Sequence, residues 1–320
     1  MPPPEPAVRG PERAVPADIE RVNRLFSEAF TDRYQRDGMM GVRVPLLNPA
    51  IWRFALSTAG EDALLWREQS GGIIAFNMVH RSGAEGWMGP LAVRPDRQGE
   101  GLGGAIVRAG IERLQRAGAR TIGLETMPRT VENIGFYSRL GFRPGHLTIS
   151  LVRELGRAAG HEGHRLTAPA VSIDKRLKDC AALTSRLMPG VDFTRELRCT
   201  IEHRLGDVTL VSDGGVLTGF ALWHSAPLAE GRGLDEVRVL KLAALDVTTF
   251  RRLVGAVEAH ATEEHARRIS VRCQTAHRGA YAALLKVGYR VHWTDLRMTL
   301  DGHDEIAAAD GGIVFSNWEI

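Results

Sequence analysis

Apolar positions in the first third of the chain follow a helical spacing and then a strand spacing. Between Ile19 and Phe30 the apolar residues recur at intervals of three or four, and Asp18 stands before them as a candidate N-cap. Apolar residues between Ile51 and Ala55 predict a second short helix. The predicted elements that follow are strands at 63–66, 73–79 and 87–93, a helix at 101–117, a strand at 121–126, a helix at 131–140 and a strand from Phe142.

The same pattern returns in the second half of the chain, which indicates an internal repeat. Gly71–His80 matches Gly215–His224, 144 positions later, and Leu140–Arg143 matches Val287–Arg290, 147 positions later. Two nearly equal shifts in the same order predict two copies of one α/β unit. The predicted organisation is a disordered proline-rich N-terminus at 1–15, a first unit at 16–155, a linker at 156–169, a second unit at 170–300 and a C-terminal tail strand at 301–320.

Composition narrows the class of protein. Of the 320 residues, 41 are basic and 38 are acidic, and the two signs are mixed along the sequence. A nucleic-acid-binding protein would cluster its basic residues, so this mixture argues against that class. Three separated cysteines form no metal or disulfide pattern, and no apolar run reaches the length of a membrane span. We expect a cytoplasmic enzyme or binding protein, monomeric or homodimeric, without a metal.

The most informative stretch joins a predicted strand to a predicted helix through a glycine-rich turn. It ends in the run Gln98-Gly99-Glu100-Gly101-Leu102-Gly103-Gly104. Such a turn points several backbone N–H groups and the positive end of the helix at one place, which suits a phosphate or pyrophosphate. Glycine allows a ligand to approach the backbone closely because it has no Cβ.

Three interpretations of this turn compete. Gly99, Gly101 and Gly104 fit the G-x-G-x-x-G pattern of dinucleotide-binding folds, and Glu125 stands 21 residues further on. That pattern belongs in a parallel βαβ unit, whereas antiparallel strands are predicted before this turn, so a nicotinamide cofactor is disfavoured. A purely structural entry to the helix is also disfavoured, since so many glycines cost conformational entropy.

A second motif favours the third interpretation. Gln98-x-x-Gly101-x-Gly103, followed by Asn133, Phe136-Tyr137 and Leu140-Gly141-Phe142, resembles the GNAT superfamily of acyl-CoA N-acyltransferases over residues 16–152. The resemblance implies an α/β fold of two tandem GNAT-like domains, each with a mixed, mostly antiparallel central sheet flanked by helices. It also implies an N-acetyltransferase that moves an acetyl group from acetyl-CoA to a primary amine of a small molecule by direct attack.

The resemblance assigns roles to the residues of both motifs. The residues expected to bind the cofactor are Gln98, Gly99, Glu100, Gly101, Leu102, Gly103 and Gly104 at the pyrophosphate, Leu91, Ala92 and Val93 through their main chain at the acyl carbonyl and pantetheine, and Asn133 and Phe136 beside the pantetheine arm. Tyr137 would face the sulfur. It is the candidate general acid, because a phenol with a pKa near ~10 can protonate the leaving thiolate if the two are in contact.

The general base is an open question in this mechanism. Many GNAT enzymes carry a glutamate early on the strand before the pyrophosphate loop, but here that position is Trp87. Glu125, on the next strand, is the first candidate, with a water chain or deprotonation before binding as alternatives. His80 titrates in a suitable range, although its repeat counterpart His224 favours a structural role. Trp87 and His80 are also candidate contacts of the acceptor.

The second unit lacks the features of the first. Its strand at 237–244 runs on without a glycine turn, and Ala280 and Leu284 stand opposite Asn133 and Tyr137 of the first unit. We therefore expect the second unit to be degenerate in chemistry, to complete the acceptor cleft and to leave one active site per chain. The rival hypotheses are a non-catalytic CoA-binding sensor or partner protein and an acyltransferase that uses a longer acyl-CoA.

The C-terminal tail, Gly312–Ile320, is predicted to form a final strand. The simpler interpretation is that this strand extends an edge of a sheet and covers its unpaired backbone groups. The alternative is that the tail reaches the cleft between the units, where Glu319 or the terminal carboxylate could assist the acceptor amine.

Overall fold

The structure is a computed structural model that describes residues 8–156, 160–169 and 171–317. From residue 16 to residue 155 the helices and strands follow the predicted order, and the second unit repeats that order. The helices are α1 Ile19–Arg36, α2 Pro49–Ala59, α3 Leu102–Arg116, α4 Val131–Arg139, α5 Ile173–Leu187, α6 Thr194–Glu202, α7 Val247–Glu263 and α8 Arg278–Lys286. The strands are β1 Val8–Arg13, β2 Ala63–Glu68, β3 Ile73–Ser82, β4 Glu85–Val93, β5 Thr121–Thr126, β6 Phe142–Glu154, β7 His164–Arg165, β8 Gly206–Asp213, β9 Val216–His224, β10 Glu236–Ala244, β11 Arg268–Gln274, β12 Arg290–Leu300 and β13 Ile313–Ser316.

Local sequence explains where the helices of the first unit begin. α2 follows Asn48, whose side chain accepts a hydrogen bond from the N–H of Ala50 at 3.0 Å. Pro49 occupies the first helical position. A backbone N–H there has no acceptor within the helix, so a proline costs no hydrogen bond. α3 begins after Gly101, which has a φ of +82°. An L-residue with a side chain adopts that conformation only with strain, so the glycine fixes the start of α3.

The strands of the described ranges form one sheet, and its middle is an exchange between the two units. The order is β1-β2-β3-β4-β5-β12-β6-β11-β10-β9-β8-β7, with β13 added against β10. The last strand of the first unit, β6, pairs with β11 of the second unit. The last strand of the second unit, β12, pairs with β5 of the first unit. Each unit is therefore completed by a strand of the other.

Helices cover both faces of the sheet in the first unit. α1 and α2 pack on one face, where the fully buried Trp52 meets Phe76 edge-on with ring centroids 5.7 Å apart. α3 packs on the other face, where Ile106 and Val107 share a core with Ile122. α5 and α6 in the second unit, and α7 and α8 on its other face, repeat this arrangement. None of the helices in the described ranges has the length and apolar composition of a membrane-spanning segment.

Both units contain a place where two parallel strands separate. β4 pairs with β5 only over Glu85–Met88, and β10 pairs with β11 only over Glu236–Val239. In the second unit β13 pairs with the rest of β10, Lys241–Ala244, and Asn317 donates a hydrogen bond to the carbonyl of Arg272 on β11 at 3.0 Å. The tail thus forms the predicted strand, but inside the sheet rather than at an edge. Glu319 and the terminal carboxylate lie outside the described residues.

The N-terminus and the linker depart from the prediction. Val8–Arg13 form β1, which pairs with β2 at the end of the sheet, so the disorder predicted for 1–15 is wrong from residue 8 onward. Pro11 stands where the register shifts, and an outer strand tolerates its missing N–H. In the predicted linker, His164–Arg165 form β7 against β8. Residues 1–7 lie outside the described ranges.

Candidate active site

The glycine-rich turn leaves a run of backbone donors at the start of α3. Gly99 and Gly101 have φ angles of +84° and +82°. The N–H groups from Gly99 to Gly104 make no hydrogen bond to any residue that the structure describes, and the first N–H with an acceptor is that of Ala105, bonded to the carbonyl of Gly101 at 3.3 Å. Consecutive free N–H groups at a helix N-terminus are suited to bind a phosphate.

The sequence interpretation missed two arginines on the helices that carry the two motifs, Arg108 on α3 and Arg139 on α4. The guanidinium of Arg108 is 3.1 Å from the position that a Cβ on Gly104 would occupy. On α4, Nη1 of Arg139 is 3.6 Å from the corresponding position on Gly135. Neither arginine forms an ion pair with the part of the chain that the structure describes. Their charge is therefore available to a phosphate-rich ligand.

The structure brings the two sequence motifs together around the opening between β4 and β5. The side chain of Gln98 donates a hydrogen bond to the carbonyl of Val93 at 3.1 Å, which holds the turn against the end of β4. Phe136 packs against Gly103 across the gap between α4 and α3. On the far side of the opening, Asn133 donates to Oγ1 of Thr126 on β5 at 3.4 Å.

The main chain of Leu91, Ala92 and Val93 borders the same opening. These residues pair with Asn77, Phe76 and Ala75 of β3, whereas β5 pairs with β4 no further than Met88. On the edge of β4 that faces β5, the backbone groups of these three residues therefore form no hydrogen bonds with β5. It could pair with the amide groups of an extended ligand lying in the opening.

Tyr137 is buried in the core next to this opening. Its ring lies 5.1 Å from that of Phe136 and 6.1 Å from that of Phe142. Burial raises the pKa of Tyr137 to about 12, and its hydroxyl makes no hydrogen bond to a described residue. The phenol therefore stays protonated at neutral pH and can act only as a donor. The raised pKa also makes complete proton transfer to a thiolate less favourable than the sequence argument assumed.

A cavity of about 410 Å³ lies at the opening, on the face of the sheet that α1 covers. Both units contribute to its lining, the first through Tyr34, Trp87 and Glu125 and the second through Arg272 and Trp293. A second cavity of about 450 Å³ lies against β13. Arg297 and Ser316 line both cavities. A cavity of about 560 Å³ between the linker and α7 contains no residue of either motif.

Glu125 forms the floor of the first cavity together with two arginines. Its Oε1 accepts hydrogen bonds from Arg297 Nη1 and Thr148 Oγ1, each at 2.6 Å, and its Oε2 contacts Arg272. Burial alone raises the pKa of Glu125, but the charges of Arg272 and Arg297 outweigh it and hold that pKa below its ordinary value. A carboxylate held ionised by two guanidinium groups is a weak proton acceptor. This environment disfavours the general-base role predicted for Glu125.

The two candidate acceptor contacts lie in different surroundings. Trp87 lines the cavity, with the guanidinium of Arg297 stacked 3.9 Å from its ring centre. His80 is buried on the adjacent strand β3, where it pairs with Trp87; its Nδ1 lies 3.3 Å from Oγ1 of Thr58, and it is not part of the cavity wall. Burial lowers the pKa of His80 to about 3, so its imidazole is neutral. The structure supports a contact role for Trp87 and a packing role for His80.

The sequence interpretation missed the residues that the second unit places in the cavity. Trp293, Asp295 and Arg297 all lie on β12, and Arg272 lies on β11. A signal was present, since residues 293, 295 and 297 alternate at the period of a strand and so share one face. Their position in this cavity could not be predicted from the sequence, because it depends on the pairing of β12 with β5 of the other unit.

Comparison with known proteins agrees with this geometry. Residues 20–142 match the family model described as the acetyltransferase (GNAT) family. The chain is 29% identical over 122 residues to the uncharacterized N-acetyltransferase YjhQ of Escherichia coli, a match that covers 38% of this chain and 55% of the relative. The chain therefore spans about half the length of this curated relative.

Solved structures extend the likeness to the whole chain. A proposed acetyltransferase from Pyrococcus horikoshii superposes with a TM-score of 0.68 at 16% identity, covering 98% of this chain and 95% of that one. A tandem GNAT protein from the clavulanic acid biosynthesis pathway superposes with a TM-score of 0.60 at 14% identity, covering 93% and 99%. At these identities the likeness shows the fold alone. Residues 20–142 thus match the GNAT family model, and the fold of the whole chain is similar to that of a tandem GNAT protein.

Proposed function

We propose that this chain is an acyl-CoA-dependent N-acyltransferase that transfers an acetyl group from acetyl-CoA to a primary amine of a small molecule. The observation that carries the proposal is the run of free N–H groups from Gly99 to Gly104 beside the opening between β4 and β5. These donors, with Arg108 and Arg139, fit the phosphates of CoA. When bound, acyl-CoA supplies an activated thioester carbonyl.

The cavity supports a small acceptor rather than a polypeptide. Its volume of about 410 Å³ is near the lower end of the range of small-molecule sites, roughly 300–1,000 Å³. It meets the opening at Trp87–Pro90, where β4 leaves β5, so an amine in the cavity can approach a group lying in the opening. Binding there would hold the nucleophile at the position where direct attack requires it.

The roles of the side chains follow from their environments. Tyr137, protonated throughout the physiological range, donates a hydrogen bond to the leaving sulfur and limits its developing charge. Glu125 acts as a positioning residue that orients Arg272 and Arg297 rather than as the base. Because Glu125 is held ionised by the two arginines and is a weak base, the amine loses its proton to water before it attacks.

The second unit adds residues to this site but offers no second one. Its opening is filled by β13, and α7 begins behind Asp246, whose carboxylate accepts the N–H of Thr249 at 2.7 Å. A carboxylate at that helix N-terminus takes the place that a phosphate needs and repels it. We expect each chain to bind one molecule of CoA.

The experiment compares wild type with Tyr137→Phe. Acetyl-CoA and a panel of primary amines are assayed by release of the CoA thiol, and CoA affinity is measured by calorimetry. We expect kcat to fall about 100-fold in the variant, the lower end of the range for loss of a general acid, with little change in CoA affinity. Repeating the assay with longer acyl-CoAs tests the acyl length.

The matched control is Tyr289→Phe in the second unit. Tyr289 is also buried, and its hydroxyl donates to Glu258 at 2.9 Å, remote from both motifs. The kcat of Tyr289→Phe should equal that of the wild type. Equal kcat values for Tyr137→Phe and wild type would remove Tyr137 from the mechanism. Tight CoA binding without turnover of any amine would instead identify a CoA-binding sensor.

A further inference from the structure

The cavity at the opening has walls that fit a large apolar group. Phe26, Phe30 and Tyr34 of α1 form one side, and Trp87 and Trp293 stand on strands from the two units. The rings of Tyr34 and Trp293 approach each other with centroids 6.2 Å apart, at an angle of 44°. Aromatic walls of this kind bind planar or branched hydrocarbon groups with little loss of side-chain entropy.

The carboxylates in the cavity wall already have cationic or polar partners. Glu125 contacts Arg272, Arg297 and Thr148. Asp295 accepts a hydrogen bond from Arg272 Nη1 at 3.0 Å through Oδ2, and one from Trp293 Nε1 at 3.2 Å through Oδ1. Within the described residues these are the cavity's acidic side chains, so a cationic ligand would compete with arginines for both of them.

The unused hydrogen-bonding capacity of the cavity consists of donors. The side chain of Trp87 is only 2% exposed, and its buried Nε1 donor has no acceptor among the described residues. Arg297 donates through Nε to Glu305 and through Nη1 to Glu125. Arg43 lies exposed at the rim and forms no ion pair with a described residue.

A buried donor without an acceptor costs free energy, and a ligand that supplies an acceptor recovers it. Among the described residues, the buried Arg272 and Arg297 both form ion pairs with carboxylates. Arg43 is the arginine of the cavity lining that forms none with a described residue. The complementary ligand has an anionic acceptor group near Arg43 and an apolar body between the aromatic walls. A carboxylate fits a guanidinium in a bidentate way, which adds directional preference to the charge attraction.

We propose that the acceptor is an α-amino acid, or a close analogue with a primary amine next to a carboxylate, that carries a large apolar side chain. This rests on the proposed acyltransferase function. In the reaction the amine nitrogen forms a bond to the acyl carbon and the carbon–sulfur bond breaks. The electron pair of that bond leaves on sulfur, the amine proton passes to water, and the thiolate is protonated as CoA is released.

The experiment uses acceptor pairs that differ at the carboxylate. L-Phenylalanine is compared with L-phenylalaninamide and 2-phenylethylamine, and L-leucine with 3-methylbutylamine, in the wild type, in Arg43→Gln and in Arg186→Gln. Arg186 is an exposed arginine on α5, outside the cavity, and its replacement changes the net charge equally. Binding of L-phenylalanine to the CoA-saturated protein is followed separately by tryptophan fluorescence.

We expect the wild type to favour each amino acid over its carboxylate-free partner by about tenfold or more in kcat/KM. Arg43→Gln should lower kcat/KM for L-phenylalanine about tenfold and leave 2-phenylethylamine within about twofold. Arg186→Gln should match the wild type. Preference for the carboxylate-free amines, or an equal loss on both members of a pair in Arg43→Gln, would overturn the inference.

The binding measurement separates this inference from the proposed function. If no amine is acylated but L-phenylalanine binds, and Arg43→Gln weakens that binding about tenfold, the ligand class stands and the acyltransferase function fails. If other amines are acylated and L-phenylalanine neither reacts nor binds, the function stands and the ligand class is wrong. If L-phenylalanine fails to bind at all, the ligand class is likewise wrong.

Discussion

The two halves of this protein contain the same structural opening, and they use it differently. In the first unit the opening between β4 and β5 adjoins free N–H groups and a cavity. In the second unit the chain's own β13 pairs with β10 in the equivalent opening. One opening thus borders a cavity, and the other is filled by a strand of the same chain. Under the proposed function, the first opening binds a ligand, while the second is closed by packing within the chain.

The second unit contributes to function through its strands rather than through a site of its own. Because β12 pairs with β5, it carries Asp295 and Arg297 to the cavity of the first unit. Because β11 pairs with β6, Arg272 reaches Glu125 across the exchange. Under the proposed function, the second unit needs no cofactor turn of its own to contribute to the site. Its strands hold the floor of the remaining site.

Replacing Phe315 by alanine gives the largest expected effect and tests the filled opening. Phe315 on β13 is fully buried, with its ring 5.7 Å from that of Phe250. Removing a buried phenyl ring costs about 3–5 kcal/mol of unfolding free energy, through lost burial and the cavity left behind. Urea unfolding measures this loss. Calorimetry should still find one CoA per chain, because Asp246 occupies the helix N-terminus of the second unit.

The control for this variant is Phe76→Ala in the first unit. Phe76 is equally buried, and it lies between β3 and α2 rather than in either opening. It should lower the unfolding free energy by a similar amount. A second CoA bound by Phe315→Ala, but not by Phe76→Ala, would show that β13 alone closes the second site. The difference in CoA binding between the units would then be caused by β13 in the second opening and not by the absence of a glycine-rich turn.

Gly101→Val tests the turn of the first unit, and Gly215→Val, in the turn between β8 and β9 of the second unit, is its control. Both glycines have a φ of +82°, and at both positions an added Cβ meets no atom within 4 Å. The conformational strain should therefore be alike, about 1–2 kcal/mol. Only at Gly101 does the new side chain obstruct the free N–H groups. We expect CoA affinity to fall about 100-fold in Gly101→Val alone, the effect of losing charge-assisted hydrogen bonds.

Thermal unfolding and calorimetry are measured on the same samples. Equal losses of CoA affinity in the two variants would mean that strain, transmitted through the fold, causes the effect. The turn would then have no special part in binding. Unchanged CoA affinity in Gly101→Val would remove the observation that carries the proposed function.

The sequence predicts the parts of this protein that depend on local backbone requirements. The turn at Gln98–Gly104 is readable because a positive φ at Gly101 demands glycine there. The strands β6 and β12 are readable as strands from their alternation. Their exchange is not, because each could pair with either β5 or β11 without changing its own pattern. Because the pairing is non-local, the sequence does not predict that Arg272, Asp295 and Arg297 line the cavity.

The N-terminus shows the opposite error. Composition predicted disorder because prolines are frequent there, but Val8–Arg13 need only one partner strand, β2, to become ordered. Pro11 fits because the strand is at the end of the sheet, where one side needs no N–H. Composition describes what a segment can do by itself. It does not include a neighbouring strand that offers unpaired backbone groups.

The smallest expected effect concerns His80 and His224, which are equivalent in the two units. Each is buried beside a threonine hydroxyl, at 3.3 Å from Thr58 and 3.0 Å from Thr200. Burial lowers the pKa of His80 to about 3 and that of His224 well below its ordinary value. The unfolded chain therefore binds these protons near pH ~6.5 while the folded chain does not. The two buried neutral histidines therefore make a contribution to the unfolding free energy that is present above that pH and is lost as the pH falls.

Between about pH 7.5 and about pH 5 the linkage amounts to about 2 kcal/mol for His80. Urea unfolding at both pH values should show that His80→Gln and His224→Gln each lose less stability on acidification than the wild type. The exposed His292→Gln serves as the control and should behave like the wild type. If both histidines only pack, neither variant changes kcat/KM for an amine acceptor. A fall in kcat/KM confined to His80→Gln would break the equivalence of the two units at this position and return His80 to the acceptor site.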